Sequence, residues 1–148
     1  MAAPQQDLAR MLAGQPGALS ALIQLEAALN SPSGLPGWLR EITLTRAAAL
    51  NGCADCTRLH LSRARRNGLS PQLAAAAVGD APAASAELRA ALALAEALTA
   101  ADDSVPGRLA EARRHYRAEE VSELVLLVSA ANMFNRLMTA ARALPPGQ

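Results

Sequence analysis

The sequence predicts a single all-α domain, and three observations predict it. No stretch alternates apolar and polar residues with the period of two that a half-buried strand needs, and β-branched residues are few. Helix punctuation recurs instead: Ser70-Pro71 and Ser85 as start signals, Asn51-Gly52 and Asn67-Gly68 as stops. Finally, 51% of the 148 residues are hydrophobic and 18% charged, which suits one packed core and argues against disorder. With one Trp, one Tyr and one Phe, that core must be built from Ala, Leu, Val, Ile and Met. Alanine buries little area per residue but lets helices approach closely. A helical chain this thin in large side chains is expected to hide further surface by forming a homo-oligomer.

The elements follow in order. Asp7 to Ala13 is a short amphipathic segment ending at Gly14, and Pro16-Gly17 opens a second helix running to about Asn30. Residues 31–37, rich in Ser, Pro and Gly, can only be a loop. Trp38 to Leu50 is the third helix. The fourth begins at Cys53 and stops at Asn67-Gly68. Ser70-Pro71 starts a short fifth helix that ends near Gly79, and Ser85 caps a sixth, with Leu88, Ala91, Leu92, Ala95, Leu98 and Thr99 on one face. Pro106-Gly107 lies in the next link, Arg108 to Arg117 forms the seventh helix, and Glu119 to Ala143 is the eighth and longest. Its buried stripe is expected to run through Val121, Leu124, Val125, Val128, Ala131, Asn135 and Met138. The tail from Leu144 reads as a frayed end.

Charge excludes several functions. Fourteen basic against thirteen acidic residues leave a net charge of +1, with no pull toward nucleic acid or an anionic membrane. The arginine groups at 63, 65 and 66 and at 113 and 114 have no interleaved aromatics and read as solvated helix faces. The N-terminus lacks a basic region followed by an apolar run. The apolar stretch Val121 to Met138 is broken by Ser122, Glu123, Asn132, Asn135 and Arg136, so a buried helix is expected rather than a membrane span. A cytoplasmic location is expected, and in a reducing compartment a close cysteine pair is more often reactive than a structural staple.

The chemistry concentrates in Asn51-Gly52-Cys53-Ala54-Asp55-Cys56-Thr57-Arg58-Leu59-His60. On one helix, positions 53, 56 and 60 fall within roughly 60° of one another. Two thiols three residues apart at a helix start can close a disulfide, and His60 lies four residues past Cys56, where side chains meet. If Asn51-Gly52 reverses the chain into an αα-hairpin, Glu41 and His60 both lie roughly 14 Å from the turn and can face each other. A carboxylate there orients the imidazole for work as a base. Thiol, base and carboxylate in a row suit peroxide or disulfide chemistry. Which sulfur attacks stays open on these grounds: the helix dipole favours Cys53, and proximity to His60 favours Cys56.

The pattern Glu41, Cys53, Cys56, His60 resembles the alkylhydroperoxidase D-like (AhpD-like) proteins of the carboxymuconolactone decarboxylase superfamily. Arg40-Glu41-Ile42 leading into Leu50-Asn51-Gly52-Cys53, Ala93 to Thr99, and Asn132 to Arg136 carry further similarity, so the resemblance spans about residues 38–146. Residues 1–30 form N-terminal helices of the same single domain and carry no motif of that family. The resemblance implies an AhpD-like helical bundle assembled as trimers or hexamers. It implies peroxidase activity through a disulfide cycle, an oxidoreductase of the peroxiredoxin-type alkylhydroperoxidase kind. Cys56 would be the peroxidatic thiol, Cys53 the resolving one, and Glu41 and His60 the proton relay. The partners it implies are an alkyl hydroperoxide or hydrogen peroxide and an external dithiol reductant, a lipoyl protein or a thioredoxin-like one. It calls for no cofactor and no metal. Where the best-studied members have a second histidine between the cysteines, this chain has Asp55, an acid expected to oppose thiolate formation.

Other readings of the same residues are a carboxymuconolactone decarboxylase-like enzyme, a dithiol redox sensor, a zinc site on Cys53, Cys56 and His60, and buried core thiols. Asn132 and Asn135 are expected to satisfy buried backbone groups, Arg136 to pair across helices with Glu96, Trp38 to anchor the core or an interface, and His115 to face solvent.

Overall fold

The eight expected helices form in the computed structural model, which describes residues 3–31 and 34–145, and among the described residues there is no strand. They are α1 (Ala3–Met11), α2 (Pro16–Leu29), α3 (Gly37–Leu50), α4 (Ala54–Arg66), α5 (Pro71–Val78), α6 (Ala86–Ala100), α7 (Val105–Ala112) and α8 (Ala118–Ala143). The end of the tail, residues 146–148, lies outside the described residues.

Local chemistry accounts for most boundaries. Ser70 Oγ accepts from the Leu73 amide at 3.3 Å and Ser85 Oγ from the Leu88 amide at 3.2 Å, so both expected caps form. At α8 the Arg117 amide donates to the Glu120 carboxylate at 2.8 Å, the N3 half of a capping box. The seventh helix differs from expectation, beginning at Val105 and ending at Ala112. Pro106 falls in its first turn, where a missing N–H costs nothing, so Pro106-Gly107 opens the helix instead of linking to it.

Helix α3 is the hub, packed against α4, α5, α6 and α8. Its Leu39, Ile42, Ala47 and Ala48 are buried, and its buried hydroxyls are satisfied within the helix: Thr43 donates to the Leu39 carbonyl at 2.8 Å and Thr45 to the Glu41 carbonyl at 2.7 Å. Helix α8 is long and apolar enough to span a bilayer by composition, yet Val121, Leu124, Leu127, Val128, Ala131 and Asn135 are buried where it packs on α1, α3 and α6. It is the core helix expected, although Val125 and Met138 are only partly buried. Where α3, α6 and α8 meet, Ala47, Ala95, Val128 and Ala131 form a small-residue cluster that permits close approach. Trp38 packs on the edge of the main core. Helix α2 is apolar along its length but buries none of its residues.

Candidate active site

The hairpin that builds the site is made by the way α3 ends. Gly52 adopts φ 67°, the left-handed conformation that reverses the chain. The Gly52 amide donates to the Ala49 carbonyl at 3.1 Å and the Cys53 amide to the Ala48 carbonyl at 3.0 Å, the paired bonds of a Schellman motif. Cys53 is thus pinned as the last residue of one motif and the first of the next, because it also stands at the N-cap of α4. The Thr57 hydroxyl and amide both return to its carbonyl, at 3.0 and 2.9 Å. At the other side of the turn, Asn51 Nδ2 donates to Asn132 Oδ1 at 2.6 Å and ties the hairpin tip to α8.

On this support Cys53 and Cys56 are joined in a disulfide, with Cα atoms 5.3 Å apart. Cys53 is 2% exposed, whereas Cys56 borders a cavity of about 420 Å³. His60, one turn further along α4, borders the same cavity, and its Nδ1 lies 2.8 Å from Glu41 Oε2. Both side chains are largely shielded, at 15% and 12% exposure. The rest of the wall is mainly apolar, with Leu29 from α2, Leu44 from α3 and Leu127, Phe134 and Met138 from α8. All four residues singled out by spacing therefore come together, in the order carboxylate, imidazole, cavity-facing sulfur, buried sulfur. The arrangement can hold an apolar molecule against a sulfur atom, move a proton through an oriented imidazole, and exchange electrons by opening and closing one S–S bond.

A model of the carboxymuconolactone decarboxylase family matches residues 16–97, more than half of the chain and all four of these residues. The chain belongs to that family. It is 35% identical over 105 residues to the uncharacterized protein YdfG of Bacillus subtilis (strain 168), across 68% of this chain and 71% of that one. It is also similar to a crystal structure of an Agrobacterium tumefaciens protein of unknown function, provisionally described as the antioxidant defence protein AhpD. The two share a TM-score of 0.79 at 28% identity, over 93% of this chain and 97% of that one. The fold and the cysteine pair together make this chain an AhpD-like member of the carboxymuconolactone decarboxylase family.

Several residues of this family member, at the site and away from it, differ from expectation. Asp55 does not present a bare charge to the sulfurs. Its carboxylate is ion-paired with both Arg58 and Arg142, the second reaching in from the end of α8. Two guanidinium groups oppose the field that one carboxylate would exert on a neighbouring thiolate. Asn132 satisfies the Asn51 side chain rather than a backbone group. Asn135 is 2% exposed, and its side-chain Nδ2 has no hydrogen-bond partner among the described residues. Glu96 is held by Arg46, at 2.9 and 2.7 Å, so the expected pairing with Arg136 does not form and Arg136 is exposed. His115 is partly buried against Glu111 at 3.2 Å rather than open to solvent.

Proposed function

We propose that the protein is a thiol-dependent peroxidase that reduces alkyl hydroperoxides or hydrogen peroxide through a Cys53–Cys56 disulfide cycle. The observation that carries this reading is the cavity-facing Cys56, bonded to Cys53 and sharing its space with a His60 ring held by Glu41. In the reduced protein both sulfurs lie at the start of α4, where the helix dipole favours thiolate over thiol. The Cys56 thiolate attacks the terminal oxygen of ROOH. An S–O bond forms, the O–O bond breaks, and RO⁻ leaves and takes a proton from His60 to become ROH. The Cys53 sulfur then attacks the Cys56 sulfenic acid and expels water, which closes the disulfide. An external dithiol, lipoyl or thioredoxin-like, reopens it by exchange and is itself oxidised to a disulfide. The burial of Cys53 suits a resolving thiol, which meets only its neighbour, and the apolar wall suits peroxides with a hydrocarbon tail. A homo-oligomer, trimer or hexamer, belongs to the same proposal, because α2 leaves Ile23 58% exposed and has no fully buried residue.

Thiol titration tests the cycle. One equivalent of peroxide should remove both thiols together, and a dithiol should restore them. Cys56→Ser should reduce peroxide consumption to background, while Cys53→Ser should halt at a sulfenic acid trapped by dimedone. Full activity in Cys56→Ser would sink the assignment. Turnover of 4-carboxymuconolactone by the Cys53→Ser/Cys56→Ser double variant would point to decarboxylation instead. A change of mass on oxidation without peroxide turnover, read by light scattering, would point to a sensor.

A further inference from the structure

Asn135 is the one residue of the cavity wall whose chemistry the cycle above leaves unused and whose burial needs a reason. It sits on the inner face of α8, 2% exposed, bordering the same cavity as Cys56 and His60. Its Nδ2 is without a hydrogen-bond partner among the described residues. A buried unpaired amide is destabilising by about 1–3 kcal/mol, so chains tend to replace it or pair it. Asn132, one turn earlier on the same helix, shows the paired alternative, with its Oδ1 2.6 Å from Asn51 Nδ2. Asn135 leaves its donor unpaired on a wall it shares with Cys56 and His60.

We propose that Asn135 is a further catalytic residue, whose amide N–H donates a hydrogen bond to the departing oxygen of the hydroperoxide. The inference rests on the peroxidase reading. As the Cys56 thiolate forms its bond to the terminal oxygen, the O–O electron pair moves onto the RO oxygen. Negative charge therefore passes from sulfur to that oxygen before His60 supplies its proton. A neutral donor fixed in an apolar wall stabilises this charge without giving up a proton of its own and without reorganising at the moment of reaction. The partner missing from Asn135 is then the substrate, and the amide's unpaired state is a stability cost held for function.

The test uses the full chain, reduced, with a single turnover of cumene hydroperoxide followed by stopped flow. Asn135→Leu and Asn135→Ala delete the donor with large and small apolar side chains, and Asn135→Ser keeps one. Alkylation of Cys56 by iodoacetamide serves as control, because it needs the same thiolate but releases no oxygen. The expected result is oxidation slowed about 100-fold in the Leu and Ala variants and partly recovered in Ser. Alkylation should stay within about twofold of the wild type, and the thermal midpoint of the Leu variant should be unchanged or raised. Oxidation at the wild-type rate in both apolar variants would overturn the proposal. So would parallel slowing of oxidation and alkylation, which would assign Asn135 to the thiol's surroundings. A lowered midpoint in both apolar variants with oxidation intact would make it structural. If the wild-type thiols ignore peroxide altogether, the peroxidase reading fails first and this role falls with it. If they respond and the apolar variants respond equally fast, only the role of Asn135 is lost.

Discussion

An imidazole on a helix surface turns freely about its Cβ–Cγ bond, and a base that turns freely spends little time aimed at its target. The 2.8 Å contact between Glu41 Oε2 and His60 Nδ1 removes that freedom and leaves Nε2 for the cavity. Glu41→Gln keeps the shape of the side chain and removes its charge. Steady-state peroxide turnover should then show kcat/KM lowered by about 10- to 100-fold, with the thermal midpoint little changed. An unaltered kcat/KM would mean that Glu41 only fills space. The Glu41–His60 contact was legible in the sequence because it depends on register alone, ten residues before a turn and nine after it. That Cys56 and His60 border one cavity was legible because they stand one helical turn apart. The two guanidinium groups on Asp55 were only half legible: Arg58 is a helical neighbour, but Arg142 lies 87 positions away. Its arrival, like that of Asn135, depends on how α8 packs on α1, α3 and α6, which no local pattern encodes.

The ends of the helices set where these side chains stand, and four of them end with a residue in the left-handed region. Three of these residues are glycines, and the fourth, at the end of α6, is Ala101 with φ 54°. An L side chain in that conformation costs about 1–2 kcal/mol. Ala101→Gly should therefore stabilise the chain, by about 0.5–1 kcal/mol after the added freedom of the unfolded state is subtracted. The converse change at the end of α5, Gly79→Ala, should cost about 1–2 kcal/mol. There φ is 93°, and a Cβ would also collide with the Arg46 guanidinium that holds Glu96. Urea midpoints of the two variants should move in opposite directions, and a shared direction would mean that the caps do not set these ends. Element by element, the sequence was most legible where caps are chemical, at Ser70, Ser85, Gly52, Gly68 and Gly79. It was least legible at α7, where a proline permitted either a link or a first turn.

The whole molecule holds together through a main core of leucines with Ile42 and Val121, and a second cluster of smaller residues. Ala47, Ala95, Val128 and Ala131 let α3, α6 and α8 approach closely, but alanines contribute little buried area each. The composition foretold this kind of core. It did not foretell that the single tyrosine would fasten the margin. Tyr116, just after α7, donates its hydroxyl to the Glu87 carbonyl at the start of α6, at 2.8 Å. Burial of the ring, with Glu87 and Glu120 nearby, pushes its pKa up from 10 to about 12. The folded chain therefore keeps the phenol proton to higher pH than the unfolded chain does. Stability from this group is fully present below pH 10 and is lost as pH rises toward 12. Two units correspond to about 2.7 kcal/mol for a sealed group. The ring is only half-buried, and solvent screening brings the expected loss to about 1 kcal/mol. Urea unfolding at pH 9 and pH 11.5 measures it as a lowered midpoint. In Tyr116→Phe the bond to Glu87 is absent, so stability at pH 9 should be lower by about 1 kcal/mol and this part of the alkaline loss should vanish. If the Phe variant loses stability between the two pH values as steeply as the wild type, the alkaline sensitivity of the fold arises elsewhere, and Tyr116 fastens α7 to α6 only by packing.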